Sequence, residues 1–316
     1  MPADPLDTAA LLAELEPVAS RLLDRHLSQA KEWFPHQLVP YSRGADFEAD
    51  YEWSPADTTL PEEVRSALFV NLLTEDNLPY YFTTIDRVFT RSSPWWEWSR
   101  RWTAEEGRHS IVIRDYLTVT RTIDPVSLER ARMAQVSRAE VPEYTTEQPL
   151  DCLVYVALQE LATRISHHNT GKVVDDPVGY EIMKRVASDE NRHHLFYRDL
   201  ASAALEIDPS GTIMAIERQV RDFEMPGTGI VDFETHARAI AKAGIYDFQI
   251  HHGQILVPVV LRHWGVEDVI GLNDEGERAR DAVVKRIERI GRVGRRLAQR
   301  RDEEAETAGE RVPAPV

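Results

Sequence analysis

A five-residue pattern occurs twice in the chain: Glu105-Glu106-Gly107-Arg108-His109 and Asp189-Glu190-Asn191-Arg192-His193. Both read acid-Glu-x-Arg-His, and both sit in strongly helical sequence, where residues three apart lie on one face. Each copy therefore aims one carboxylate and one imidazole at a common point. Glu-x-x-His alone is weak evidence. A second repeat strengthens it, because Glu75 precedes Glu106 by 31 residues and Glu160 precedes Glu190 by 30. About thirty residues make a helix, a turn and a return. Each half then forms a two-helix hairpin carrying two carboxylates and one imidazole.

Packed together, the hairpins bring four Glu and two His to one bundle core, the ligand set of a di-iron carboxylate protein. A solvated face is the competing reading, and the neighbours speak against it. Glu160 follows Leu153-Val154-Tyr155-Val156-Ala157-Leu158 and precedes Leu161-Ala162, while Glu75 follows Ala67-Leu68-Phe69-Val70 and Leu72-Leu73. A buried carboxylate needs a proton, a cation or several donors. Four carboxylates balance two divalent cations, with neutral imidazoles completing the set.

The elements that position these residues are all helical. With 316 residues and 42% hydrophobic content, the chain has enough apolar material for one large core. We expect a single domain over 1–305 and a polar, disordered tail over 306–316, while residues 1–6 read as frayed. A first amphipathic helix is expected from about Leu6 to Trp33, with Leu11, Leu12, Leu15, Val18, Leu22 and Leu23 inward. Residues 34–60 read as an irregular crossing segment. A helix from Pro61 carries Glu75 and meets Pro79 one turn later, which implies a kink or a break. Arg91-Ser92-Ser93-Pro94 forms the hairpin turn, with Ser93 as cap, before a Trp-rich helix over about 94–120. Another helix starts at Asp124-Pro125, and 138–149 is a polar connector. Helices over about 150–170 and 179–205 carry the second half of the repeat. Further helices are expected near 209–224, 232–264 and 274–305. The apolar run Ile255 to Leu261 reads as packing or dimer contact.

Composition narrows the function classes. A net charge of −16 argues against general nucleic-acid binding. The single Cys152 excludes an intramolecular disulfide and suits a reducing cytosol. No apolar run approaches a membrane span, and no signal peptide opens the chain, so a cytoplasmic protein that is not an integral membrane protein is expected. The last helix carries Arg292, Arg295 and Arg296 in a basic cluster. Such a run is ordinarily a solvated face; the sharper reading is a dock for an acidic partner. Trp102, one turn before Glu106, shares its face and reads as core packing. Thr163 shares a face with Glu160, and spacing alone leaves two readings: a donor at the metals, or a hydroxyl bonded back to a helix carbonyl. His167 and His168 read as structural residues beyond the metal layer, and His194 lies off the metal face.

These motifs resemble one family, the soluble acyl-[acyl-carrier-protein] desaturases of plants and actinobacteria, the mycobacterial branch most closely. Leu73-Thr74-Glu75-Asp76-Asn77-Leu78-Pro79 resembles its T-E-E-x-L-P segment, and Trp102 to His109 resembles W-T-A-E-E-N-R-H. Gln159 to Thr170 resembles Q-E-R-A-T-x-I-S-H-x-N-T, Asp189 to His193 resembles D-E-K-R-H, and Lys31 to Pro35 resembles K-x-W-x-P. The resemblance implies a homodimeric ferritin-like four-helix bundle with flanking helices and two Fe ions per subunit. Glu106 and Glu190 would bridge the irons, Glu75 and Glu160 would be terminal ligands, and His109 and His193 would each bind one iron. Thr163 matches a threonine that helps activate oxygen. Glu105, Asp189 and Trp33 match supporting positions, with Trp33 and Asp189 on an electron route and Arg108 and Arg192 offsetting the added acids. Three departures stand out: a shorter turn between the Glu75 and Glu106 helices, Gly107 in place of Asn, and His194 in place of an acid. None removes a ligand.

The implied activity is O₂-dependent insertion of a cis double bond into a long acyl chain on acyl carrier protein, with electrons from a ferredoxin-type donor. A di-iron acyl hydroxylase needs the same ligands and differs in the fate of the substrate radical. A non-catalytic iron-storage or carrier-protein-binding bundle would not need Thr163. A ribonucleotide-reductase-like radical scaffold shares the metal set but fits the motif wording less well.

Overall fold

The structure, a computed structural model, describes residues 7–88, 93–137, 148–227 and 229–308, and every regular element among them is helical. The expected frayed start, the residues Arg91-Ser92 of the first hairpin turn, most of the 138–149 connector and tail residues 309–316 lie outside the described residues.

Four helices make the site-bearing bundle: α2 (Glu62–Glu75), α4 (Pro94–Val119), α6 (Pro149–Val173) and α7 (Pro177–Ile207). Each starts on a local signal. Ser93 accepts from the Trp96 N–H with Pro94 behind it, and Asp176 accepts from the Val178 N–H ahead of Pro177. Such a cap contributes about 1 kcal/mol. α6 and α7 form a close antiparallel hairpin. Where they touch, Gly171 leaves room for Met183, whose Cβ lies 3.0 Å from where a Gly171 Cβ would stand.

The helix expected to pass through Pro79 is broken rather than kinked. α2 stops at Glu75, and α3 (Leu78–Val88) starts anew with Pro79 at its second position. There a missing N–H costs nothing. The break is tied down by α5 (Pro125–Ser137): Arg132 makes a two-pronged pair with Asp76 at 2.7 and 3.0 Å, and Gln135 donates to Asn77 at 2.9 Å.

The flanks complete the core. α1 (Thr8–Gln29) ends four residues short of Trp33, so Trp33 enters the core from extended chain, 3% exposed. Trp95 and Trp98 of α4 are fully buried, and Trp98 stacks on Phe196 at 3.6 Å. The single helix expected over 232–264 is three elements. α9 (Phe233–Lys242) ends before Gly244, whose φ of +71° reverses the chain. Asp247 then caps α10 (Phe248–Ile250), which runs directly into a π-helix (His251–His263). Ile255, Leu256, Val259 and Val260 there are buried within this chain, so the apolar run is internal packing. α8 (Pro209–Asp222) and α11 (Asp274–Ala308) close that side. α11 runs through Ala308, so 306–308 are helical rather than part of a disordered tail.

Candidate metal centre

The bundle brings all six expected inner residues together, from Glu75 at the last position of α2 to His193 midway along α7. All six are buried. Donor atoms of Glu75, Glu106, His109 and Glu190 lie within 4.8 Å of one another, as do those of Glu106, Glu160, Glu190 and His193. Glu106 and Glu190 belong to both groups, so two cation-sized nests share a pair of carboxylates. His109 Nδ1 faces Glu106 at 3.1 Å, Glu190 at 3.2 Å and Glu75 at 3.6 Å. His193 Nδ1 faces Glu106 at 2.7 Å and Glu160 at 3.6 Å.

Hydrogen bonding does not account for this cluster. Glu106 Oε1, Glu160 Oε2 and His193 Nδ1 are buried, close together and without an aligned hydrogen-bond partner. Such buried orphans are costly and need another explanation. Burial, then the charge of Glu190, pushes Glu160 well above the ordinary carboxylate range, and the same two causes raise Glu106. Burial opposes charge on the imidazoles, yet the Glu106 carboxylate and its neighbours hold both His109 and His193 well above their usual value. Such a nest pulls on any cation, and carboxylates with two imidazoles suit a first-row divalent metal. The residues fit two such ions.

The outward nitrogens are also partnered. His109 Nε2 lies 3.4 Å from Asp189, which accepts from Trp33 Nε1 at 2.8 Å, from Arg108 at 3.1 Å and from Arg192. His193 Nε2 lies 3.0 Å from Glu105, and so does His26 Nε2. Burial alone would raise Glu105, but these two imidazoles hold it far below the usual range. Each repeat thus supplies the acid that orients the other repeat's ligand imidazole.

Residues 7–312 match the model of the fatty acid desaturase family. The chain belongs to that family. It is 41% identical over 289 residues, covering 88% of this chain and 85% of the relative, to a Mycobacterium tuberculosis protein, DesA1, named an acyl-[acyl-carrier-protein] desaturase. It is 32% identical over 294 residues (88% and 73%) to the chloroplastic stearoyl-[acyl-carrier-protein] 9-desaturase 6 of Arabidopsis thaliana. The X-ray structure of DesA2 from M. tuberculosis, titled an acyl-ACP desaturase, superposes with a TM-score of 0.67 at 30% identity, covering 83% of this chain and 97% of that one. The fold of this desaturase is ferritin-like, as expected.

Several residues of the desaturase sit differently from expectation. His167, expected beyond the metal layer, points into it: Nε2 is 3.0 Å from Glu75 and 3.6 Å from Glu190. Two turns along α6 from Glu160 return the chain to the same face. Arg108 and Arg192 both serve Asp189, while Glu105 takes Arg101 at 2.5 Å, which the motif does not contain. His26 had no spacing to betray it. Its signal was an imidazole continuing the buried stripe Leu15, Ala19, Leu22 of α1. His194 leaves the site as expected, bonding Ala157 O at 2.8 Å. Trp102 is more than packing, since its Nε1 donates to Glu160 at 2.9 Å. Thr163 makes both contacts that spacing left open: 3.1 Å to the Glu160 carbonyl and 3.4 Å to the Glu190 carboxylate. Trp102 also walls an apolar pocket with Tyr81, Ile85, Cys152, Tyr155, Val156, Gln159 and Pro226. Burial there pushes the Cys152 thiol up to about 12, so it behaves as an apolar lining.

Proposed function

We propose that this desaturase removes two hydrogens from adjacent carbons of a long-chain acyl group carried on acyl carrier protein, using O₂ and two electrons from a ferredoxin-type donor. The observation that carries the reading is the pair of nests sharing Glu106 and Glu190, beside an apolar pocket that Trp102 also lines. Two Fe ions would be held with Glu106 and Glu190 between them, Glu75 and His109 on one side, Glu160 and His193 on the other. Bound iron supplies the oxygen activation and C–H cleavage that no side chain possesses.

The chain's own residues do the rest. Tyr81, Ile85, Tyr155 and Val156 would give the acyl chain apolar contact around a cavity of about 20 Å³, the space of a single water, so these walls must part to admit it. Trp102 lines that cavity and fixes the Glu160 carboxylate through its indole N–H. Thr163 holds its hydroxyl oxygen 3.4 Å from the Glu190 carboxylate and 3.1 Å from the Glu160 carbonyl, so its one hydrogen would turn from the carbonyl toward the centre to be donated there. Trp33 and Asp189 connect His109 to the surface-side segment before residue 40, a route for electrons.

For the carrier protein, the reading places the dock on α11. Arg292, Arg295 and Arg296 are exposed there, and exposed Val293, Leu297 and Phe248 add apolar contact beside them. Among the described residues no helix is long and apolar enough to cross a membrane. A cytoplasmic location and a homodimer belong to the same reading.

The test is to incubate iron-loaded protein with long-chain acyl carrier protein, reduced ferredoxin and O₂, then weigh the acyl group. Loss of two hydrogens supports desaturation. Gain of one oxygen replaces it with hydroxylation at the same centre. An unchanged mass with iron bound sinks the reading. Carrier-protein affinity unaltered by Ala at Arg292, Arg295 and Arg296 refutes the dock alone.

A further inference from the structure

We propose that His26 is a positioning residue for one half of the metal centre, the half built on His193. This rests on the metal reading above and goes beyond it. The two ligand imidazoles are arranged alike, each with Nδ1 inward and Nε2 on an acid from the opposite repeat. The acids are not held alike. Asp189 is fixed by three donors of permanent protonation: the Trp33 indole, Arg108 and Arg192, whose guanidinium side chains are 17% and 12% exposed. Glu105 has Arg101 on Oε1, a side chain 40% exposed, and His26 on Oε2. Among the described residues the only deeply buried clamp on the Glu105 carboxylate, apart from His193 itself, is therefore His26, whose side chain is 2% exposed.

The geometry dictates how it acts. His26 and His193 both approach Glu105 Oε2 at 3.0 Å. An ionised carboxylate only accepts, so both imidazoles carry hydrogen on Nε2. That leaves Nδ1 of His193 facing Glu106 and Glu160, where a cation would take the place of its proton. His26 is itself locked, edge-on to Trp98 at 4.9 Å and stacked along His193 at 5.9 Å. Take it away and Glu105 can swing toward Arg101 and the surface, and the His193 ring loses its orienting acceptor. The His109 half keeps all its support.

The experiment titrates chelator-stripped protein with Co(II) anaerobically and follows the visible absorption of each bound ion. Wild type should take up two ions. His26→Ala should weaken one of them by about 10–100-fold, the usual effect of removing such a partner, and leave the other unchanged. His26→Asn and His26→Gln retain an N–H donor, so one of them should recover most of the lost affinity. Trp33→Phe should change little, because Asp189 keeps both arginines. Two ions bound at wild-type affinity by folded His26→Ala, equal weakening of both, or no rescue by either amide would overturn the proposal. If Ala does not fold, the amide variants decide it: affinity at the weakened half no better than a Glu105→Ala control counts against. Wild type taking up no ions would instead overturn the metal reading, and this inference with it.

Discussion

The two hairpins carry the same ligands and are built differently. In the second, α6 and α7 are continuous helices, Glu160 lies mid-helix, Gly171 lets α6 and α7 touch, and Gly179 makes room for Tyr116 of α4. In the first, α2 ends on Glu75 itself, the chain turns at Asp76-Asn77, and α3 starts at Leu78. A carboxylate at a helix C-terminus faces the negative end of the helix dipole. Glu75 tolerates that position because His167 and His109 lie against it. The break has a use, since it places Tyr81 and Ile85 of α3 across from Cys152 and Val156 of α6 around the apolar pocket. One hairpin is built of two continuous helices, and the other is interrupted beside the pocket. A repeat that fixes ligand chemistry need not repeat its mechanics.

The largest effect should come from a residue both halves share. Glu190→Ala removes a carboxylate from both nests, so both ions should be lost and turnover should fall by at least about 10³-fold, against loss of one ion for Glu75→Ala. Metal analysis after desalting checks this; two ions retained by Glu190→Ala would mean that the nests are independent.

A smaller difference should appear in the metal-free protein. Burial and Glu190 raise Glu160, whereas His109 and His167 outweigh burial and lower Glu75. The raised acid keeps in the folded chain a proton that the unfolded chain releases above about 4.5, so its stability contribution is full below that pH and is lost as pH rises through the folded value. For the lowered acid the contribution is present above about 4.5 and is lost as pH falls. Between about pH 5 and 8 with chelator present, Glu160→Gln should therefore gain on wild type with rising pH, and Glu75→Gln should not. Melting curves across that range read it directly. Parallel slopes for the two variants would show that the surroundings of these acids do not differ as described.

What was legible in the sequence follows the same divide. Carboxylates set in apolar helices, repeated at a helical spacing, have few innocent explanations, so Glu75, Glu106, Glu160 and Glu190 with His109 and His193 stood out. Thr163 and Trp102 were visible by face but not by contact. His26 and His167 were hidden because a single imidazole on an apolar stripe is usually packing, and their partners lie 79 and 92 residues away. The break after Glu75 was only half legible. Pro79 announced an interruption, but the ties that hold it, Arg132 to Asp76 and Gln135 to Asn77, come from α5 across 56 and 58 residues. The π-helical part of 232–264 was missed because an apolar, partly β-branched run reads as helix whether or not its hydrogen bonds are α-helical, and the reversal before it hung on the lone Gly244.

The smallest effects separate the hairpins by their glycines. A Cβ at Gly179 would lie 2.7 Å from Tyr116 Oη and 3.1 Å from Val174 Cγ2. Tyr116 is anchored there by its bond to Asp176 at 2.9 Å, so it cannot retreat without breaking the start of α7. Gly179→Ala should cost about 1–3 kcal/mol, as overpacking does. At Gly107, beside Glu106, the nearest atom to a new Cβ is Leu78 Cδ2 at 4.0 Å, and that leucine belongs to the detached α3. Nothing there opposes a methyl group, and α4 gains from losing a flexible residue. Gly107→Ala should therefore stabilise the protein by about 0.5–1 kcal/mol. Opposite signs in two denaturation experiments would confirm that the contact of α7 with α4 is packed to its limit and the face of α4 toward α3 is not. A destabilised Gly107→Ala would mean that α3 sits closer to α4 than its role as a separate wall allows.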